Sequence, residues 1–213
     1  MPSPSLVISP LYFDDGLSRD WIAKDYRMLK SSTAYKHIKD ILLMKVGNKK
    51  NAGVRFFGES FVACAKDMQH DEGYYGSFKW LTNHKFRTDD DFPKGPTREY
   101  KEQLRTALQK YFGSGQLRDL QTAAHAIHAK HGKKLLNGQK PVPPDLWLVS
   151  KERHRFIEAK LPRDWVEPHQ VAGLALISCC LNSPGRKISV EIVEVRPKLE
   201  DLFGEISASI NAG

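Results

Sequence analysis

Cysteine is scarce: three residues in 213, at positions Cys64, Cys179 and Cys180. Three cysteines cannot build a disulfide framework, and the adjacent pair is badly placed to bridge itself. A reducing cytoplasmic compartment is therefore expected, with the three thiols read as small buried hydrophobes. No apolar run approaches the roughly 18 residues needed for a membrane-crossing helix. The opening Met1-Pro2-Ser3-Pro4 lacks a basic stretch followed by an apolar one, so no secretory leader is expected. A phosphate-binding glycine loop is missing, which argues against built-in ATP hydrolysis, and neither Gly-x-Ser-x-Gly nor His-Glu-x-x-His occurs. There is no internal repeat and no low-complexity tract.

What is present is a globular composition, 40% hydrophobic and 27% charged, long enough to bury a core without metal or disulfide support. Lys and Arg number 33 against 25 Asp and Glu, a net charge of +8. The excess is concentrated: residues 98–160 hold 13 bases and 6 acids, residues 1–94 hold 15 and 12, and residues 161–213 hold 5 and 7. A basic middle third favours an anionic partner, with nucleic acid the commonest, over a merely solvated face.

Residues 1–94 read as a mostly helical region. Apolar residues between Leu17 and Val46 approach helical spacing, with Ser31-Ser32-Thr33 as an interruption, and Glu59 to Met68 suits a short helix. Gly47 to Gly53 reads as a polar loop. Tyr74, Tyr75, Phe78 and Trp80 suit a core better than a base-stacking surface. The polar stretch Thr88–Pro96 reads as a linker, placing a boundary near residue 94 and a second domain over 95–213.

Beyond it the pattern sharpens. Thr97 is a candidate N-cap for a helix over 98–112, Gly113-Ser114-Gly115 breaks it, and a second helix runs over 116–130 and stops at Gly132. Leu146–Val149 and Arg155–Lys160 form a hairpin around a charged turn. Asp164 and Glu167 have capping-box spacing before a helix ending near Asn182, with Val171, Leu174, Ala175 and Ser178 inward. Ser183-Pro184-Gly185 is a turn, Ile188–Val195 a β-branched strand and Leu199–Ile210 a closing helix. The expected fold is α/β, a mixed sheet flanked by helices.

The chemistry-bearing stretch is Pro144-Asp145 followed by Glu158-Ala159-Lys160. In a hairpin, Asp145 starts one strand where Glu158 ends the next, and Glu158 and Lys160, two apart, share a face. Two converging carboxylates beside a backbone carbonyl suit a hard cation such as Mg²⁺ or Mn²⁺. A neighbouring Lys can orient water or offset charge developing on phosphorus. These are the parts of a phosphodiester hydrolase.

These residues resemble the PD-(D/E)xK nuclease superfamily, and the continuation Leu161–Gln170 is similar to its VRR-NUC branch, in which a helix bears an early Gln. The resemblance spans about residues 97–198. It implies a restriction-endonuclease-like fold and a metal-dependent nuclease acting on nucleic acid, with DNA favoured. It also implies metal binding by Asp145, Glu158 and the Ala159 carbonyl, water activation by Lys160, and support from Gln170. The family's further helix acid has no Glu counterpart on the helix before Asp145. Asp119 is the candidate there, with Gln121, Glu102 and Glu99 as alternatives. Lys130, Lys133, Lys134, Lys140 and Arg163 are candidate phosphate contacts. His125, His128 and His131 suit a polar surface better than a metal site. A homodimer is compatible with this reading. Two alternatives stand beside it: an inactive nucleic-acid-binding module on the same fold, and an assembly protein whose basic face meets an acidic partner.

Overall fold

The computed structural model describes residues 5–31, 36–47, 56–66, 70–151, 153–183 and 185–211. The expected interruption at Ser32-Thr33, nearly all of the 47–53 loop, Met68 and Pro184 lie outside these residues. In chain order the elements are β1 (Leu6–Phe13), α1 (Asp15–Ile22), α2 (Arg27–Ser31), α3 (Lys36–Gly47), α4 (Phe57–Lys66) and β2 (Glu72–Tyr75). After a 3₁₀ turn at His84–Phe86 come α5 (Arg98–Leu135), β3 (Leu146–Val149), β4 (Arg153–Lys160), α6 (Pro168–Leu181), β5 (Lys187–Pro197) and α7 (Leu199–Asn211).

The five strands make one sheet in the order β1-β5-β4-β3-β2. β1, β5 and β4 run parallel, while β3 is antiparallel to both β4 and β2. Alternation along each strand sends side chains to opposite faces. Trp147, Val149, Phe156, Val190 and Ile192 join a core under α5 and α6. Leu146, Leu148, Ile157, Val193 and Val195 join a second core with residues of α1 to α4. The chain is thus α/β, with a mixed five-stranded sheet flanked by helices.

The expected boundary at 94/95 does not divide this sheet. The N-terminal region is mostly helical as expected, with four helices in place of three, and it also supplies both edge strands, β1 and β2. β1 is exposed along most of its length and β2 is only four residues long, so neither shows a long apolar alternation in sequence. Thr88–Pro96 is not a loose linker either. Phe92 is buried against Phe86 at 4.9 Å, and Arg105 donates to the carbonyls of Thr88 and Asp90.

The two helices expected around Gly113 are present: α5 is two helical segments that meet at Gly113, whose φ 71 and ψ 156 are not helical. L side chains rarely adopt such a positive φ, so glycine is what lets the backbone turn there. Leu104, Leu108, Phe112, Leu117, Leu120 and Ala124 are buried on both sides of the kink. The capping box of α6 is Glu167 with Gln170, not Asp164 with Glu167; Asp164 instead accepts the Leu161 N–H. Val171 and Ala175 are exposed, and Gly173, Leu176, Ile177 and Leu181 join Leu174 and Ser178 on the buried face. Cys179 is exposed rather than buried. Among the described residues no helix is long and apolar enough to cross a membrane.

Candidate active site at the ends of β3 and β4

Pro143 and Pro144 lack the N–H that a strand ladder needs, so β3 begins only at Leu146. Every residue of β3 is buried, with a strand on either side. The turn to β4 is closed by Ser150 N–H donating to the Arg153 carbonyl at 2.8 Å. That turn sets the register Leu146↔Ile157, which places Asp145 across from Glu158. The ladder gains one further rung from a side chain, as Ala159 N–H donates to Asp145 Oδ2 at 3.1 Å.

Two close approaches hold the segment that leads into Asp145. A Cβ on Gly173 of α6 would lie 1.7 Å from the Val142 carbonyl oxygen, and one on Gly76 would lie 2.6 Å from that of Pro144. Both positions need glycine so that backbone can meet backbone. Val142 N–H donates to the His169 carbonyl and Gly76 N–H to the Asp145 carbonyl, satisfying groups that would otherwise be stranded.

Glu158 and Lys160 share a face of β4 and are both nearly buried, with Nζ 3.0 Å from Glu158 Oε1. Gln170, in the first turn of α6, ties them together. Its Oε1 accepts from Lys160 Nζ at 3.0 Å and from the Glu167 N–H at 2.9 Å. Its Nε2 donates to Glu158 Oε1 at 2.5 Å. The same amide therefore caps a helix and aligns the Glu–Lys pair.

The electrostatics are those of crowded acids. Burial, then the fields of Glu158 and Glu59, hold the Asp145 carboxyl well above the usual carboxylate range, against the Ala159 N–H and Lys160. Burial also raises Glu158, opposed by Lys160 and by contact with Asp145. Glu59 of α4 is pushed up to about 7 by burial and by the charges of Glu158 and Asp164. A cluster that holds on to protons this way is stabilised by any cation that replaces them.

Glu59 is the acid that sequence reasoning missed. The helix nearest in sequence to Asp145 is α5, whereas Glu59 arrives from α4, packed near Ala159 and Leu161 through Gly58. The only available signal was an acid in the first turn of a short apolar helix. The α5 candidates stand elsewhere. Asp119 is exposed, and its field reaches Cys180 at the far end of α6, about 15 Å of helix from Gln170. Gln121 is buried in structural work, donating to the Trp80 and Asn83 carbonyls and accepting from Arg87. Glu102 pairs with Arg98, and Glu99 accepts from Gln103; both line a separate cleft with Glu72 and Lys110.

Lys130, Lys133 and Lys134 are exposed on the last turns of α5, and Lys140 on the segment that runs on to Asp145. Arg163 is exposed in the loop just after Lys160. His128 Nε2 lies 3.2 Å from the Gly138 carbonyl, and the three helix histidines gather no further ligands. His154, expected in the turn, is buried in β4. It accepts from Trp147 Nε1 at 3.2 Å, and burial lowers its pKa to about 4.

Two carboxylates in contact, with the Ala159 carbonyl leaving the strand on the same side as its N–H, form an all-oxygen donor set that fits a hard divalent cation. Among the described residues no three His, Cys, Asp or Glu side chains are grouped to hold an ion together, so Glu59 stands off this pair. The chain was compared with protein-family models, curated proteins and solved structures, and none of them matches it.

Proposed function

We propose that this protein is a metal-dependent nuclease that hydrolyses phosphodiester bonds, in DNA by preference. The observation that carries the reading is the convergence of Asp145, Glu158 and Lys160 at one end of the β3–β4 hairpin, with Gln170 bonded to the last two. Asp145, Glu158 and the Ala159 carbonyl would hold Mg²⁺ or Mn²⁺. When bound, the ion would draw charge from the phosphodiester and acidify water. The remaining work belongs to the chain. Lys160, held by Glu158 and Gln170, would face the phosphate and offset the charge that builds on its oxygens. Gln170 keeps the Lys160 side chain from rotating away. Water forms the new bond to phosphorus, the ester P–O bond breaks, and the departing oxygen takes up a proton. The basic stretch over residues 98–160 would hold the polyanion.

The test is cleavage of linear, nicked, flapped and four-way DNA with Mg²⁺ or Mn²⁺, with Asp145→Ala and Lys160→Ala beside the wild type. Cutting that needs metal and is lost in both variants supports the reading. Unchanged cutting by Lys160→Ala overturns the mechanism. The second reading, a binding module without a working metal site, draws support from the lack, among the described residues, of a third acid grouped with Asp145 and Glu158. Salt-sensitive DNA binding with no cutting by the wild type would favour it.

A further inference from the structure

The carboxyl ends of the three parallel strands β4, β5 and β1 open onto a cleft of about 460 Å³ that begins at Lys160 and extends to Tyr12. In open α/β sheets this is the edge at which ligands bind. The register Lys160↔Glu194↔Pro10 and Arg196↔Tyr12 places these residues on one face of the sheet. At strand spacing, Tyr12 lies about 12 Å from Lys160, within the span of neighbouring nucleotides in an extended strand.

The walls combine two chemistries. Tyr12 is 52% exposed, and Val166 and Leu199 add apolar surface. Lys160, Arg163 and Arg196 bring cations. Asp164 accepts the Leu161 N–H, Glu194 and Arg196 pair with each other, and Lys160 pairs with Glu158, so Arg163 is the cation these pairs leave over for a ligand. Arg163 stands at φ 79 in a turn where Asp164 N–H donates to the Leu161 carbonyl at 3.0 Å and Pro162 is second. Glycine is the relaxed residue at such a third position, so the backbone is strained to present an arginine at this mouth.

We infer that this cleft receives one unpaired base and its phosphate, so that the strand engaged at Lys160 is single-stranded or locally opened there. The inference rests on the proposed function and names its substrate class. A closed duplex presents sugar and phosphate outward, which would meet cations but leave the apolar wall unused. An unstacked base has a face to lay on Tyr12, and its phosphate can meet Arg163.

The test is equilibrium binding in EDTA, where no cutting can occur. Fluorescein-labelled oligo(dT) and its oligo(dA) duplex are titrated with wild type, Tyr12→Ala and Tyr12→Trp. One base stack is worth about 1–3 kcal/mol, so Tyr12→Ala should bind the single strand about tenfold more weakly. Duplex affinity should stay within about twofold, and Tyr12→Trp should restore strand binding. A second readout uses Trp165, which is 83% exposed while Trp21, Trp80 and Trp147 are buried. Oligo(dT) should shield its fluorescence from iodide.

Wild-type strand affinity in Tyr12→Ala, or equal losses on strand and duplex, would overturn the inference. So would a dimer lost on Tyr12→Ala with strand binding intact, since a second copy would then be the occupant. A parallel Mg²⁺ or Mn²⁺ cleavage assay reads the nuclease proposal separately. No cutting, with strand-selective binding intact, would remove that reading and leave the base-binding cleft standing.

Discussion

Asp145 Oδ2 accepts the Ala159 N–H at 3.1 Å, so a side chain takes the rung that backbone would occupy if β3 began one residue earlier. The bond ties the carboxylate to the strand that carries Glu158 and Lys160. It leaves the Ala159 carbonyl facing the same space.

Replacing Asp145 with Asn separates the two roles of that side chain. Asn keeps an oxygen for the Ala159 N–H and removes one charge from a group of mutually repelling acids. In EDTA at pH 8 the variant should melt above the wild type, by about 2–4 °C for each kcal/mol of repulsion relieved. Cleavage should fall by about 100-fold or more. A lower melting temperature would show that repulsion among these acids is not what dominates the site.

The folded-state pKa of Glu59, about 7, lies above its ordinary value of 4.5. The folded protein therefore binds this proton more tightly than the unfolded chain does. The resulting stabilisation is full below pH 4.5 and is lost as the pH rises through about 7. Glu59→Gln lacks this dependence. Melted in EDTA from pH 5 to pH 8, the variant should gain on the wild type steadily, and a flat difference would refute the assignment. Mg²⁺ at pH 8 should raise the wild-type melting temperature more than it does at pH 5, because the Asp145 and Glu158 carboxyls, also raised above the usual range, would have to give up their protons to the ion.

Gln170 makes three bonds at once, to Lys160, Glu158 and the Glu167 N–H. Gln170→Ala should cost about 1–2 kcal/mol in thermal or denaturant unfolding, through the lost cap and the loosened pair. Its turnover should fall by about 10- to 100-fold with KM little changed, since the residue positions Lys160 rather than the substrate. A change confined to KM would assign it to substrate binding instead.

Gly173→Ala would push a methyl group into the Val142 carbonyl. The helix must back away from the segment leading to Asp145, at a cost of about 1–3 kcal/mol. Because that segment and Gln170 would both shift, cleavage should drop although residue 173 touches no charged group. Normal activity with lowered stability would show that the site tolerates movement of α6.

The hairpin was legible because each of its determinants is local. Two prolines end the preceding segment, apolar strand residues follow, and the short turn leaves one register that buries them. The Glu167–Gln170 box was read one turn too early, since Asp164 and Glu167 have the same spacing and only the path of the chain after Lys160 decides between them.

Sequence alone determined the α/β class, the basic middle third, and the meeting of Asp145 with Glu158 and Lys160, because short-range periodicity and turn chemistry dictate these. Tertiary structure decided what long-range packing controls. It joined β1 and β2 to the sheet from the far side of the expected boundary, carried Asp119 away to the other end of α6, and brought Glu59 to the acids from a helix some hundred residues distant. Hydrophobic burial is non-directional in sequence, so which helix covers which end of a sheet is settled only when the whole core closes.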